Sequence, residues 1–220
     1  MTALLADPTL DEIRAHLAPL IPANAAFDGW SPQAVKVAAQ QAGVDADLAH
    51  LAFKDGAVQM IDVWFRSVDH AMAARLPAET LAAMKIRQRI TELVWARVEI
   101  VAPEREALRR ALAILAMPQN VLAAARMGWR AVDLMWRLAG DAAADFNHYT
   151  KRTTLGAVYA STVLALLDDG TPELSDTRAF LERRIDNVMQ FERLKADLKG
   201  RGAHRPSLSR FVGRLRYPAI

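Results

Sequence analysis

The stretch PQNVLAAARMGWRAVDLMWRLA, residues 118–139, decides the fold class. Its charged side chains recur at three- and four-residue spacing and so share one strip of a helix; they are Arg126, Arg130, Asp133 and Arg137. The rest of the helix circumference is apolar, which is typical of a helix surrounded by others. We therefore expect this helix to lie at the centre of a helical protein.

The same periodicity extends across most of the chain, and proline or glycine separates the periodic segments. It predicts helices over residues 9–20, 31–41, 45–52, 61–76, 81–101, 103–117, 118–139, 147–168 and 176–199. No segment alternates apolar and polar residues with the β-branched enrichment of a strand. The sequence therefore predicts an all-α bundle of about nine helices.

The length and amino-acid composition limit the class of protein that this chain can be. The chain has 220 residues, with 52% hydrophobic and 24% charged side chains, which is enough apolar material for a core. It contains no cysteine, which excludes disulfide frameworks, thiolate metal sites and cysteine nucleophiles. The first residues carry no export signal, and the longest uncharged stretch, residues 153–167, is shorter than the roughly 20 apolar residues of a membrane span. We expect a folded protein that does not cross a membrane.

Candidate catalytic groups are scattered. The five histidines show no Glu-x-x-His or His-x-x-x-His spacing, so two metal ligands would not share a helix face. Asp69 and His70 are neighbours, and we expect them to be an exposed pair on the helix over residues 61–76. No glycine-rich phosphate loop and no Gly-x-Ser-x-Gly motif is present. The sequence predicts no metal, no cofactor and no enzymatic activity; a lipid-modifying enzyme is the least supported alternative.

The N-terminal helices resemble the helix-turn-helix of TetR-type regulators, with residues 45–52 in the place of the helix that enters the DNA major groove. DNA binding needs lysine and arginine at phosphates. Residues 9–54 instead carry three basic and five acidic side chains. We therefore expect a degenerate helix-turn-helix that does not bind nucleic acid, and a TetR-type ligand-responsive transcriptional regulator is the alternative function.

A motif near the middle of the chain is more specific. Residues 145–152 read DFNHYTKR, followed by Leu155 and Tyr159. Together with Asp168-Asp169 and the segment from Asp176 to Arg184, the motif resembles the signature of the ninth coenzyme Q biosynthesis protein family. The upstream residues Phe65, Trp95 and 133–141 fit the same family, so the resemblance covers about residues 55–198. His148 stands where eukaryotic members usually have tryptophan.

This resemblance implies a TetR-like fold that has lost DNA binding, forms a homodimer, and holds an isoprenoid quinone precursor or a phospholipid in an apolar cavity. Family members are non-catalytic and are thought to present the lipid to the demethoxyubiquinone hydroxylase. Four residues match the family's patch for the partner enzyme or the lipid entrance: Asn147, Tyr149, Lys151 and Arg152. Localisation is expected to be cytoplasmic and, in a bacterium, peripheral to the inner membrane.

Helix facing selects candidate residues for the wall of such a cavity, and ordinary core packing is the alternative for each of them. They lie on the helices over residues 118–139 and 147–168. The candidates are Met127, Trp129, Leu134, Met135, Trp136, Leu155, Val158, Tyr159 and Thr162.

The C-terminal tail carries the positive charge. Residues 195–220 have a net charge of +6, which leaves −3 for the first 194 residues. If the tail is helical, an apolar stripe of Leu208, Phe211, Val212 and Leu215 is flanked by Arg210, Arg214 and Arg216. Such a helix suits an anionic membrane surface or folds back on the protein, and the family resemblance favours the membrane.

These observations predict three parts. Residues 1–54 form the degenerate helix-turn-helix, residues 55–199 the lipid-binding helical body, and residues 200–220 the basic amphipathic tail.

Overall fold

The computed structural model describes residues 7–141 and 146–203, with side chains over residues 7–141 and 148–190. Within these ranges the regular structure is entirely helical, which confirms the all-α prediction. The helices are α1 (Leu10–Leu17), α2 (Ile21–Asp28), α3 (Pro32–Ala42), α4 (Ala46–Ala52), α5 (Ala57–Arg75), α6 (Ala78–Ala82), α7 (Ile86–Val101), α8 (Arg105–Leu115), α9 (Val121–Leu138), α10 (Phe146–Asp168) and α11 (Ser175–Ala203). Short 3₁₀ helices cover Ala102–Glu104, Pro118–Asn120 and Pro172–Leu174.

The described part of the chain has two more α-helices than the nine expected from sequence. Pro22 does not end a helix; it lies in the first turn of α2, where a missing N–H costs nothing. The segment predicted over residues 81–101 divides into α6 and α7 because the backbone turns at residues 83–85. Both differences arise where one helix ends and the next begins, and hydrophobic periodicity does not locate helix ends reliably.

The helix-turn-helix segment forms as predicted, with local signals at each end. The hydroxyl of Ser31 accepts the Ala34 N–H and begins α3. Gly43 takes the left-handed conformation at the end of α3, with φ 69°. The carboxylate of Asp45 then accepts the Asp47 and Leu48 N–H groups at 3.0 Å and begins α4.

Trp30 ties these N-terminal helices to the body. Its indole Nε1 donates to the Ala107 carbonyl at 3.0 Å, and its ring lies 5.3 Å from that of Trp64. The side chain is buried, so the N-terminal helices share core with α5 and α8.

The chain divides into two compact units, Met1–Glu182 and Arg183–Ile220. Helix α11 begins in the first unit and continues into the second. The part boundaries expected at residues 54 and 199 stay predictions. The tail residues named above, from Leu208 to Arg216, lie outside the described residues.

Helix α9 is not central, and that expectation was wrong. Met127, Ala131 and Met135 recur at four-residue spacing and are buried. On the opposite side Leu122 is 72% exposed and Trp129 is 39% exposed. An apolar circumference therefore marks a helix with one face on the core and a second apolar face on the surface.

No described helix is long and apolar enough to cross a bilayer.

Candidate functional site

Three aromatic side chains meet where α9 and α10 lie side by side, and we call Trp129, His148 and Tyr149 the aromatic patch. The Trp129 ring centroid is 6.3 Å from that of His148 and 6.0 Å from that of Tyr149. The His148 and Tyr149 rings meet edge to face at 5.2 Å. Tyr149 is 61% exposed, so the patch offers aromatic surface to solvent.

A buried ion network lies beneath the patch; we call Asp133, Asp141, Lys151 and Arg152 the Arg152 network. Arg152 is 2% exposed, and its Nε donates to Asp133 at 2.7 Å. Its Nη1 donates to Asp141 at 3.1 Å and to the His148 carbonyl at 3.2 Å. Because a buried charge is costly unless it is paired, these contacts hold the first turns of α10 against α9.

Lys151 joins the same network from a more exposed position. Its Nζ donates to Asp141 at 2.6 Å and lies 5.4 Å from the centre of the Trp136 ring. The Trp136 indole donates in turn to the Lys151 carbonyl at 3.1 Å. Burial alone would raise the pKa of Asp141, but the hydrogen bonds from Lys151 and Arg152 outweigh it and lower that pKa.

The predicted patch residues whose side chains are described therefore differ in how deeply they are buried. Tyr149 is exposed, Lys151 is half-buried, and the side chain of Asn147 lies outside the described residues. Arg152 lies under the surface rather than on it, because both neighbouring carboxylates hold its guanidinium inside. Docking by Tyr149, Lys151 and Arg152 stays a prediction, with Arg152 placed beneath the exposed Tyr149.

The predicted cavity residues also differ in how deeply they are buried. Trp129 is exposed, whereas Leu134, Trp136 and Tyr159 are half-buried. The Thr162 hydroxyl is buried and donates to the Val158 carbonyl at 2.8 Å, so the helix already satisfies it. Lipid contact stays a prediction for all nine; the buried members are Met127, Met135, Leu155, Val158 and Thr162.

A second buried cluster, which sequence analysis missed, lies between α5, α7, α9 and α10. We call Asp62, Asp69, Arg97, Arg130 and Tyr159 the polar core cluster. Arg97 and Asp69 form a buried ion pair through Nη1 and Oδ1. The Arg97 Nε donates to the Tyr159 hydroxyl oxygen at 2.7 Å. Asp69 is therefore not part of an exposed pair with His70, and that expectation was wrong.

Arg130 completes the polar core cluster from α9. Its Nη1 donates to Asp62 at 2.6 Å and its Nε to Asp69 at 3.3 Å. Its Nη2 is buried and has no hydrogen-bond partner among the described residues. Burial alone would lower the pKa of Arg97, but Tyr159 and Asp69 outweigh it, so that pKa is raised and the guanidinium stays charged.

The signal for this cluster was present in the apolar stripes. Asp69 lies four residues after Phe65 and three before Met72, on the buried stripe of α5. Arg97 lies three residues after Val94 and four before Val101, on the buried stripe of α7. One acidic and one basic residue on two apolar stripes indicate a buried pair when the helices pack together.

An open cleft of about 1070 Å³ lies elsewhere in the first unit. Arg178 crosses it: its guanidinium lies 5.0 Å from the centre of the Trp95 ring and donates to Glu92 at 2.7 Å and Glu182 at 3.0 Å. None of the predicted cavity residues lines this cleft. Its lining is Arg75, Trp95, Glu99, Ala102, Pro103, Glu173, Leu174, Ser175, Arg178, Ala179 and Glu182.

Asp169 fixes the turn between α10 and α11. Its carboxylate is buried and accepts the N–H and hydroxyl of Thr171, at 2.8 and 2.5 Å. It also accepts the N–H and hydroxyl of Thr177, at 2.8 and 2.5 Å. Burial would raise the pKa of Asp169, but these four hydrogen bonds lower it far below its ordinary value. Asp169 and Thr177 of the motif therefore have a structural role.

No group of three histidine, aspartate or glutamate side chains within the described ranges is placed to hold a metal ion.

Comparison with known proteins links this geometry to a family. Residues 121–192 match the COQ9 family model. The human protein named ubiquinone biosynthesis protein COQ9, mitochondrial, is 30% identical over 182 residues, which are 79% of this chain and 57% of that protein. The rat protein of the same name is 29% identical over 180 residues, 79% of this chain and 58% of that protein. The chain thus spans little more than half the length of these relatives.

A solved structure gives the fold. The TetR transcriptional regulator from Nitrosomonas europaea ATCC 19718 superposes with a TM-score of 0.65 and 20% sequence identity, over 80% of this chain and 98% of that one. At this identity the match supports the fold alone. The resemblance predicted from residues 145–152 is confirmed, and the chain is a relative of the COQ9 proteins built on a TetR-regulator-like helical fold.

Proposed function

We propose that this chain acts in ubiquinone biosynthesis as a non-catalytic accessory protein, which binds an isoprenoid quinone precursor at a membrane and presents it to the demethoxyubiquinone hydroxylase. Its relatives are named for ubiquinone biosynthesis. The observation that supports the proposal is the exposed aromatic patch. Two of its residues, His148 and Tyr149, belong to the motif that resembles this family, and the Arg152 network lies beneath them.

The aromatic patch has the chemistry of a docking surface. Tyrosine and tryptophan combine large apolar area with a polar tip, and they are enriched at protein interfaces. Trp129 and Tyr149 are both exposed here, although side chains of this size are usually covered. The Arg152 network beneath them fixes the backbone of α10, so that docking would cost little ordering of the chain.

The lipid would be held by the apolar side chains of α9 and α10. An isoprenoid quinone is our first choice, and a phospholipid is a second possible ligand. The basic tail would supply the contact with an anionic membrane, at the cytoplasmic face if the chain is bacterial.

We also propose that the protein is a homodimer, as the family resemblance implies. An uncharged face of α10 is exposed, with Thr153, Ala157, Ala160 and Leu164 at four-, three- and four-residue spacing. Leu122 of the neighbouring α9 is 72% exposed. The small residues on α10 would allow a second copy to approach closely and cover both faces.

The lipid part is tested by mass spectrometry of organic extracts from the natively purified full chain. We expect an isoprenoid quinone or its precursor in a fixed ratio to protein. A phospholipid in its place would contradict the quinone proposal, and an extract without lipid, together with no lipid transfer between vesicles, would contradict lipid binding.

The docking part is tested by capture of the purified hydroxylase on the immobilised chain. Tyr149→Ala should weaken capture at least tenfold. Truncating a tyrosine that is a hot spot of an interface costs roughly 2 kcal/mol or more of binding free energy. Leu48→Ala on α4 is the matched control, since it also shortens an exposed side chain but lies in the helix-turn-helix. Equal losses in both variants would contradict docking at the aromatic patch.

A ligand-responsive transcriptional regulator is the second candidate, favoured by the helix-turn-helix geometry and the TetR-like fold. The surface of α4 is unfavourable for DNA, because Asp47 is exposed beside Leu48 and Leu51. Gel shifts with genomic fragments at several salt concentrations separate the two functions. A specific complex that weakens steeply with salt would favour the regulator.

A further inference from the structure

Arg89, in the first turn of α7, joins three backbone segments. Its Nε donates to the Met84 carbonyl at 2.9 Å, in the turn between α6 and α7, and its Nη2 donates to the Ala82 carbonyl of α6 at 3.2 Å. Its Nη1 donates to the Ala139 carbonyl, at the end of α9, at 2.9 Å. A cation at a helix C-terminus also interacts favourably with the helix dipole. The half-buried guanidinium therefore holds the end of α9 against the start of α7.

The end of α9 permits this close approach. Gly140 takes φ 90°, a conformation that favours glycine, and its N–H donates to the Arg137 carbonyl at 2.9 Å. The Asp141 N–H donates to the Trp136 carbonyl at 2.9 Å, which completes a Schellman motif. A Cβ at position 140 would lie 3.2 Å from the Arg89 Nη1, closer than most such contacts. Arg89 and Gly140 together therefore fix the direction in which the chain leaves α9.

The residue that follows this turn belongs to the Arg152 network. The Asp141 carboxylate accepts from Lys151 Nζ at 2.6 Å and from Arg152 Nη1 at 3.1 Å. Arg152 also donates to the His148 carbonyl at 3.2 Å, on the first turn of α10 and beside Tyr149 of the aromatic patch. Charge-assisted hydrogen bonds are strong only at short distance and good alignment. A shift of the main chain just before Asp141 would therefore move its carboxylate away from its partners on α10.

We propose that Arg89 is a positioning residue of the docking surface: it sets the place of Asp141, and Asp141 holds the first turns of α10 and with them the aromatic patch. This inference rests on the proposed function, in which the hydroxylase docks at that patch. The hydrogen bonds of Arg89 named above all go to main-chain carbonyls. Arg89 therefore acts through Asp141 and not through contact with the hydroxylase.

The test compares Arg89→Met and Arg89→Lys with the wild-type full chain in the capture assay for the purified hydroxylase. Methionine removes every donor, and lysine keeps the charge but has a single nitrogen in place of the guanidinium fork. Each variant should weaken capture about tenfold, because the patch is no longer held in one geometry before docking. Arg75→Met is the matched control, since it removes an arginine that joins α5 to α7 through Glu99, and it should leave capture unchanged.

A second readout separates positioning from a general loss of structure. Although burial raises the pKa of Asp141, the hydrogen bonds from Lys151 and Arg152 lower it overall. A carboxylate that moves away from these partners loses that lowering, so the pKa of Asp141 should rise in both Arg89 variants. Carboxyl carbon-13 chemical shifts followed against pH measure it, with Asp141→Asn assigning the signal. The lowered pKa of Asp169 should stay unchanged.

Gly140→Ala guards against misfolding of the Arg89 variants, because it leaves every charge in place. The added Cβ strains the positive φ and presses on Arg89, so we expect the same weaker capture and the same rise in the pKa of Asp141. Gly170→Ala is the control, since a Cβ there meets nothing within 4 Å. Circular dichroism identifies the variants that fold.

Every other outcome counts against the inference. Folded variants that capture the hydroxylase as well as the wild type overturn it while docking stands. Weaker capture with an unchanged pKa of Asp141 also overturns it, because Arg89 would then act by another route. If neither the Arg89 variants nor Gly140→Ala folds, Arg89 is needed for the fold as a whole and the positioning role fails. Wild-type protein that does not capture the hydroxylase contradicts the docking proposal itself, and with it the surface that Arg89 would position.

Discussion

Arg97 and Arg152 are equally buried, at 2% exposure each, but their surroundings differ. Arg152 pairs with two carboxylates, Asp133 and Asp141, and also donates to a main-chain carbonyl. Arg97 pairs with one carboxylate, Asp69, and donates to a phenol oxygen. The Arg152 network has no buried polar atom without a partner among the described side chains, whereas the polar core cluster has one.

The two clusters therefore differ in whether every buried polar atom is paired. A network whose charges are all paired can hold two helices together, but it has nothing left to offer a ligand. A cluster with an unpaired buried donor carries a free-energy cost in the folded protein. The Arg152 network therefore supports the aromatic patch, and the polar core cluster joins α5, α7, α9 and α10.

Arg152→Met should have the largest effect on stability. It leaves Asp133 and Asp141 buried with only Lys151 and the exposed Arg137 as partners, and we expect a loss of about 3–5 kcal/mol in the free energy of unfolding. Urea denaturation followed by circular dichroism measures it. Arg137→Met is the control, because this side chain is 71% exposed and should cost about 1 kcal/mol or less. Similar losses in the two variants would show that Arg152 is not buried in solution.

Asp69→Asn should cost less, about 2–3 kcal/mol, because the amide oxygen still accepts from Arg97 although the charge is lost. The double variant Asp69→Leu with Arg97→Met sharpens the comparison. Replacing a whole buried pair by apolar residues is often neutral, so it should be more stable than either single change. Additive losses in the urea midpoints would argue against direct pairing.

The Asp169 carboxylate accepts its four hydrogen bonds from uncharged groups. A substitution there therefore tests hydrogen bonding without charge pairing. Asp169→Asn should cost about 1–2 kcal/mol at pH 7, because the amide NH₂ faces donors of Thr171 or Thr177. The pKa of Asp169 is lowered in the folded state, so its contribution is complete above about pH 4 and is lost as the pH falls below that value. The difference in unfolding free energy between wild type and variant should shrink below pH 4, and a constant difference down to pH 2 would contradict this.

The sequence predicted features whose causes are local. Ser31 and Asp45 each begin a helix through hydrogen bonds to residues two or three positions along, and such caps are visible in a short window. The burial of Asp69 depends on Arg97, 28 residues away in the chain, and no local pattern contains that partner.

In the candidate site, too, the local motif was predicted from the sequence and the contacts between distant residues were not. The motif around Tyr149 was recognised, and its exposure agrees with a surface role, but the depth of Arg152 is set by Asp133 on another helix. The position of α9 was misjudged because apolar composition reports which faces avoid charge, not which faces the fold covers. Leu122 is exposed for that reason.

Tyr149→Ala should have the smallest effect on stability and makes the last test of the comparison. The side chain is 61% exposed and stands above the Arg152 network without taking part in its ion pairs, so the free energy of unfolding should change by no more than about 0.5 kcal/mol. Urea denaturation of the variant beside Arg152→Met measures both. If Tyr149→Ala costs as much as Arg152→Met, the aromatic patch belongs to the core and its surface role fails. If the midpoint is unchanged, any loss of hydroxylase capture in that variant reflects the lost contact surface itself.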